Sequence, residues 1–121
     1  MINVQQIKQW NLQRYPINLV DSIESFEIGK NIHAIKAVTA IEPCYSHIKD
    51  NAPLEAMAYP KSLLIESFCQ ASGPLCAMSG LKYEGRYALF ISMRNVEFSG
   101  HVYPGDVIEH KAEIIFKSSP D

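Results

Sequence analysis

Lys61-Ser-Leu-Leu-Ile-Glu-Ser-Phe-Cys-Gln-Ala-Ser-Gly-Pro-Leu-Cys-Ala-Met-Ser-Gly80 is the longest stretch of the chain that reads as an apolar helix. Leu63, Leu64, Ile65, Phe68, Cys69, Ala71, Leu75, Cys76 and Met78 would cover most of its circumference, and a helix apolar nearly all round is expected inside a protein. Ser62, Glu66 and Gln70 recur every fourth residue, which puts them on one narrow stripe. A carboxylate on a buried helix is costly unless it is partnered or neutral. Glu66, with Ser62 and Gln70 beside it, is therefore the first candidate for a site. Pro74 within the run predicts a kink or a split near Ser72, because proline cannot donate the helical hydrogen bond. Gly80 predicts the stop.

Working outward, Glu42 to Pro60 has little periodicity and contains Pro43, Pro53 and Pro60 around a polar centre, Lys49-Asp50-Asn51. It reads as a long loop, and loops of this length in compact domains are often functional. Before it, Leu19–Ile28 and Ile32–Ile41 read as strands joined at Gly29-Lys30-Asn31, a plausible hairpin. Val4–Trp10 suggests a short amphipathic helix with Val4 and Ile7 facing in, broken before Pro16. After the central helix, Tyr87–Phe98 and Val107–Phe116 read as strands on either side of a Tyr103-Pro-Gly-Asp106 turn. The second alternates cleanly at Ile108, His110, Ala112, Ile114 and Phe116. His33 and His110 are expected at the surface or at an edge. The order of elements predicts an α+β fold, with an antiparallel sheet wrapped over one central helix.

Composition narrows the classes of function. At 121 residues the chain fits one modest domain. Its net charge of −2, with no block of basic residues, argues against nucleic-acid binding. No apolar run reaches the length of a membrane span, and the first residues lack a signal-peptide pattern. Cys44, Cys69 and Cys76 form no CxxC, so a reducing, cytoplasmic compartment is expected. Cys44 and His47 have a spacing that would suit two metal ligands, but no second pair accompanies them and no metal site is expected.

Several separated motifs, in order, carry a resemblance. Leu12-Gln-Arg-Tyr-Pro-Ile-Asn-Leu-Val-Asp21, Glu42-Pro43, Leu63-Leu-Ile-Glu66-Ser-Phe-Cys-Gln70-Ala-Ser-Gly73, Val96-Glu-Phe98 and Val102-Tyr-Pro-Gly-Asp106 resemble the characteristic segments of FabZ-type β-hydroxyacyl-acyl-carrier-protein dehydratases. The match runs from about Leu12 to Phe116. It implies a hot-dog fold, a homodimer, and two sites at the dimer interface, in each of which a loop histidine of one subunit meets a helix carboxylate of the other. Carried over, the carboxylate is Glu66, the glutamine one turn on is Gln70, and the histidine is His47. The implied reaction is dehydration of a β-hydroxyacyl thioester to the trans-2-enoyl thioester, in fatty-acid or polyketide-type synthesis. An imidazole suits removal of the α-proton, and a carboxyl group in an apolar site suits protonation or orientation of the leaving hydroxyl. The resemblance implies no cofactor; phosphopantetheine would arrive with the substrate on acyl carrier protein. Lys49, Lys61, Lys82, Arg86 and Arg94 could meet that carrier, or equally form a solvated face.

The departures from the family pattern cluster at the same place. Ile48-Lys49-Asp50 stands where the family has Phe-Pro-Gly, Tyr59-Pro60-Lys61 stands where it has Met-Pro-Gly, and the segment between His47 and the helix is several residues longer. Pro74 is unusual within the helix. Family members carry two more strands beyond the position of Phe116. The resemblance therefore implies either a fragment of a longer chain or a cut-down sheet whose edge a partner covers. Two other readings remain open at the level of sequence: a non-catalytic hot-dog module that binds acyl chains or a partner subunit, and a hot-dog thioesterase.

Overall fold

The computed structural model describes residues 1–80 and 93–115. Among the described residues an antiparallel sheet of four strands has the order β1 (Ile2–Asn3), β2 (Ser22–Glu27), β3 (Asn31–Ala37), β4 (Val107–Glu113). A single turn of helix, α1 (Val4–Ile7), follows β1, and its N-terminus is closed by reciprocal hydrogen bonds between Asn3 and Gln6. The long helix α2 (Lys61–Met78) lies between β3 and β4 in the chain. Among the described residues no helix is long and apolar enough to cross a membrane.

The β2–β3 hairpin forms where the Gly/Asn turn predicts it. Gly29 takes a left-handed φ of 81°, which glycine alone adopts freely, and Glu27 pairs with Asn31. Both strands are shorter than expected. Leu19 and Val20 are buried but lie outside β2, and a register shift between Ile23 and Ser25 limits the regular ladder. On β3 the inward face is Ile32, Ala34 and Lys36, continued by Val38. That strict period of two turns a lysine inward and leaves Ala37 exposed. β4 pairs with β3 from Val107↔Ala37 to Glu113↔Asn31. The Tyr103–Asp106 turn before it is closed by the Asp106 carboxylate, which accepts from the Tyr103 amide at 2.9 Å.

The expected strand Tyr87–Phe98 falls largely outside the described residues, and its described end, Met93–Phe98, is not in a strand. Two further expectations are corrected. Of the kink or split expected near Ser72, the split does not occur: the helix runs from Lys61 to Met78 as one element through Pro74. Pro74 leaves the Gln70 carbonyl without its helical donor, and the side-chain amide of Asn11 donates to that carbonyl at 2.8 Å instead. Nor is α2 enclosed all round. Its buried residues are Ser67, Gln70, Ala71, Ser72, Pro74 and Leu75, of which all but Leu75 and Gln70 are small and let the sheet approach. Leu63, Leu64, Ile65 and Phe68 are only half-buried.

Two apolar clusters hold the layers together. One joins Ile7, Val20, Ile23, Ile32 and Ala34 to Ala71 and Leu75 of α2. The other, around Val38, Tyr45 and Tyr59, packs the Glu42–Pro60 loop against the N-terminal end of α2. That loop contains two 3-10 turns, Pro43–Tyr45 and Leu54–Met57.

Candidate active site

Glu66 sits half-buried on the N-terminal half of α2. The stripe read from the sequence is real for two of its members: Gln70 donates from Nε2 to Glu66 Oε1 at 3.0 Å. Gln70 is itself almost fully buried and has no freedom. Its Oε1 accepts from the Leu19 amide at 2.8 Å, and its Nε2 also donates to the Ile17 carbonyl at 2.8 Å. Because the Leu19 N–H can only donate and the Ile17 carbonyl can only accept, the orientation of the carboxamide is settled by its partners. One N–H is thereby aimed at the carboxylate. Gln13 adds a second, longer contact from Nε2 to the same Oε1 at 3.4 Å. Among the described residues Oε2 of Glu66 has no hydrogen-bond partner.

Ser62, the third residue of the stripe, is exposed on the first turn of α2. His47 is exposed on the turn after Pro43–Tyr45. Among the described residues no hydrogen bond or ion pair joins His47 to Glu66 within one chain.

The loop that carries His47 is fastened at its base. The Glu42 carboxylate accepts from the Lys36 ammonium at 2.9 Å, from the Tyr59 hydroxyl at 3.0 Å and from the Thr39 amide at 2.8 Å. The Tyr59 amide in turn donates to the Val102 carbonyl at 2.7 Å. Burial, with the Glu42 charge adding to it, holds the Tyr59 phenol well above the ordinary tyrosine range. Burial likewise pushes Tyr45 up to about 12, so both rings act as neutral packing groups at physiological pH.

Two clefts flank this part of the helix. One, of about 310 Å³, is lined by Pro16, Ile17 and Leu19, the loop residues Pro43 and Cys44, and Leu63 of α2. The other, of about 330 Å³, is lined by Leu64, Ile65 and Phe68 of α2 with Val96, Phe98 and His110. His110 is not at the surface, as its strand position suggested. It faces α2, meets the Ser67 hydroxyl at 2.9 Å through Nε2, and packs edge-on against Phe68. Burial and then the Lys36 charge depress its pKa to about 4, so the ring is neutral. Burial also raises the thiols of Cys69 and Cys76, which rules neither into a nucleophilic role.

Sequence reasoning missed Asn11, Gln13, Lys36 and His110 as parts of this region. A signal existed only for the first: Pro74 announces an orphaned carbonyl at Gln70, though not the donor that finds it.

The chain is similar to known proteins over nearly its whole length. The family model of the FabA-like domain matches residues 11–118. A 3-hydroxyacyl-[acyl-carrier-protein] dehydratase FabZ of Campylobacter fetus is 32% identical over 120 residues, covering 95% of this chain and 78% of that protein. The FabZ proteins of Actinobacillus pleuropneumoniae and Desulforamulus reducens are 34% and 35% identical, each over 95% of this chain and over 73% and 78% of their own lengths. The chain belongs to the FabA-like family, within its FabZ type, and its antiparallel sheet packed on one long helix is that family's hot-dog fold.

Proposed function

We propose that the protein dehydrates a β-hydroxyacyl thioester, carried on acyl carrier protein, to the trans-2-enoyl thioester in fatty-acid synthesis or a polyketide-type pathway. The observation that carries this reading is the fixed carboxylate. Among the described residues one oxygen of Glu66 has no hydrogen-bond partner, while the other is held by a buried glutamine whose every polar atom is used. Its FabZ-type relatives, similar over nearly the whole chain, are named for this reaction.

In this reading His47 takes the α-proton, the freed electron pair closes the Cα–Cβ double bond, and the β C–O bond breaks. Glu66 orients the β-hydroxyl and supplies the proton with which it leaves as water; proton exchange with water then resets both groups. Among the described residues no side chain caps the N-terminus of α2. The Leu63 and Leu64 amides donate to the Pro60 carbonyl; the Lys61 and Ser62 amides ahead of them would bind the thioester carbonyl and steady the enolate, and the apolar clefts beside Leu63 and Phe68 would take the acyl chain. The reaction needs no cofactor beyond the phosphopantetheine of the substrate. His47 and Glu66 would meet between two copies of the chain in a homodimer.

The test is formation of the conjugated enoyl thioester from a β-hydroxybutyryl thioester, followed by absorbance. Wild-type turnover is expected, with His47→Ala and Glu66→Gln each lowering kcat by roughly 100-fold to 10,000-fold. A folded wild-type dimer without turnover contradicts the reading. Release of free acid that survives His47→Ala would instead indicate a thioesterase.

A further inference from the structure

Gln70 orients Glu66 with its side chain, but its own backbone carbonyl depends on a residue far away in sequence. Proline at position 74 removes the N–H that would have bonded it. The Asn11 side chain, buried against the helix, supplies the substitute donor at 2.8 Å. Asn11 fits there only because residue 73 is glycine: a Cβ on Gly73 would lie 2.5 Å from Asn11 Oδ1. Asn11 is fixed from its own side as well, its amide donating to the Ile7 carbonyl at 3.2 Å and its carbonyl accepting from Arg14 at 2.8 Å.

The segment that Asn11 pins to the helix is the one that serves the carboxylate. Gln13, the Ile17 carbonyl and the Leu19 amide all lie within the next eight residues of the chain, and each bonds Glu66 or Gln70. Asn11, Gly73 and Pro74 thus form a three-part lock whose loss would let the segment and the Gln70 carboxamide shift together. We propose that Asn11 is a positioning residue for the Glu66 carboxylate, acting through Gln70 and dependent on Pro74. This rests on the dehydratase reading of Glu66.

The dependence on Pro74 gives the test. In a Pro74→Ala background the residue 74 N–H can bond the Gln70 carbonyl within the helix, and the Asn11 donor becomes dispensable. Steady-state dehydration is measured for the wild type, Asn11→Ala, Pro74→Ala and the double variant, with folding checked by circular dichroism. Asn11→Ala alone is expected to lower kcat roughly tenfold to hundredfold with KM nearly unchanged, as displaced catalytic groups do. The same substitution in the Pro74→Ala background is expected to cost no more than about threefold. An unchanged kcat in Asn11→Ala, or an equal loss in both backgrounds, overturns the inference. Should Asn11→Ala fail to fold, the ratio of the double variant to Pro74→Ala decides, and a loss above about tenfold overturns it. A folded wild type that forms no enoyl product overturns the underlying reading instead, so the two failures are distinct.

Discussion

Glu42 and Lys36 form an ion pair from which water is largely excluded. The alternation of β3 turns Lys36 inward, where its side chain is 6% exposed and that of Glu42 14%. The ammonium also donates to the Ala37 carbonyl at 2.8 Å and lies 5.6 Å from the centre of the Tyr59 ring. A buried charge that loses its partner is far more costly than the pair is stabilising. Glu42→Ala is therefore expected to destabilise the protein by about 3–5 kcal/mol, measured by urea denaturation. Lys36→Met combined with Glu42→Gln should recover most of that loss, because no charge is then stranded. Equal losses in the single and double variants would show that the pair does not act as a unit. Because the Glu42 hub also holds Thr39 and Tyr59, the first variant should loosen the base of the loop that carries His47.

Between elements, the closest polar contact of β4 with α2 is the one from His110 to Ser67. The imidazole has a folded pKa of about 4 against an ordinary 6.5. The unfolded chain thus binds the proton more readily, and stability is lost as pH falls from about 6.5 to about 4. This term is on the order of 3 kcal/mol when complete. His110→Leu is expected to flatten that part of the pH–stability curve, leaving the carboxylate titrations below it. A curve of unchanged slope would show that His110 is solvated. The same pair illustrates what the sequence could convey. The alternation of Ile108, His110 and Ala112 sets the inward face of β4 correctly, and the long helix, the hairpin and the Tyr103–Asp106 turn follow from periodicity and turn chemistry. Period-two reading does not tell a buried histidine from an edge one, because the difference lies in what crosses above it, here Ser67 and Phe68. It likewise turns Lys36 inward without showing its partners, Glu42 and the Tyr59 ring, which come from the loop. The expected break at Pro74 treats the helix as isolated, whereas its missing hydrogen bond is supplied by Asn11 from another part of the chain. Of the candidate site, the Glu66–Gln70 contact was legible because both residues lie on one helix face. Gln13 was not, since only tertiary folding brings it there.

At the scale of the whole molecule, the single chain leaves apolar side chains exposed around the proposed site. Leu12, Tyr15, Ile17 and Leu54 are each between 41% and 91% exposed, and the large residues on the outer side of α2 are half-covered. A second copy of the chain would bury such a surface, and in a two-fold dimer the same patch meets itself. We propose that His47 of one subunit and Glu66 of the other make up each site. It is tested most directly by mixing His47→Ala and Glu66→Gln chains, unfolding and refolding them together, and measuring dehydration. Random pairing makes half the dimers mixed, and each mixed dimer keeps one whole site, so about a quarter of the wild-type rate should return. If the refolded mixture forms dimers yet stays as inactive as its two parents, while refolded wild type recovers full activity, the shared site is contradicted.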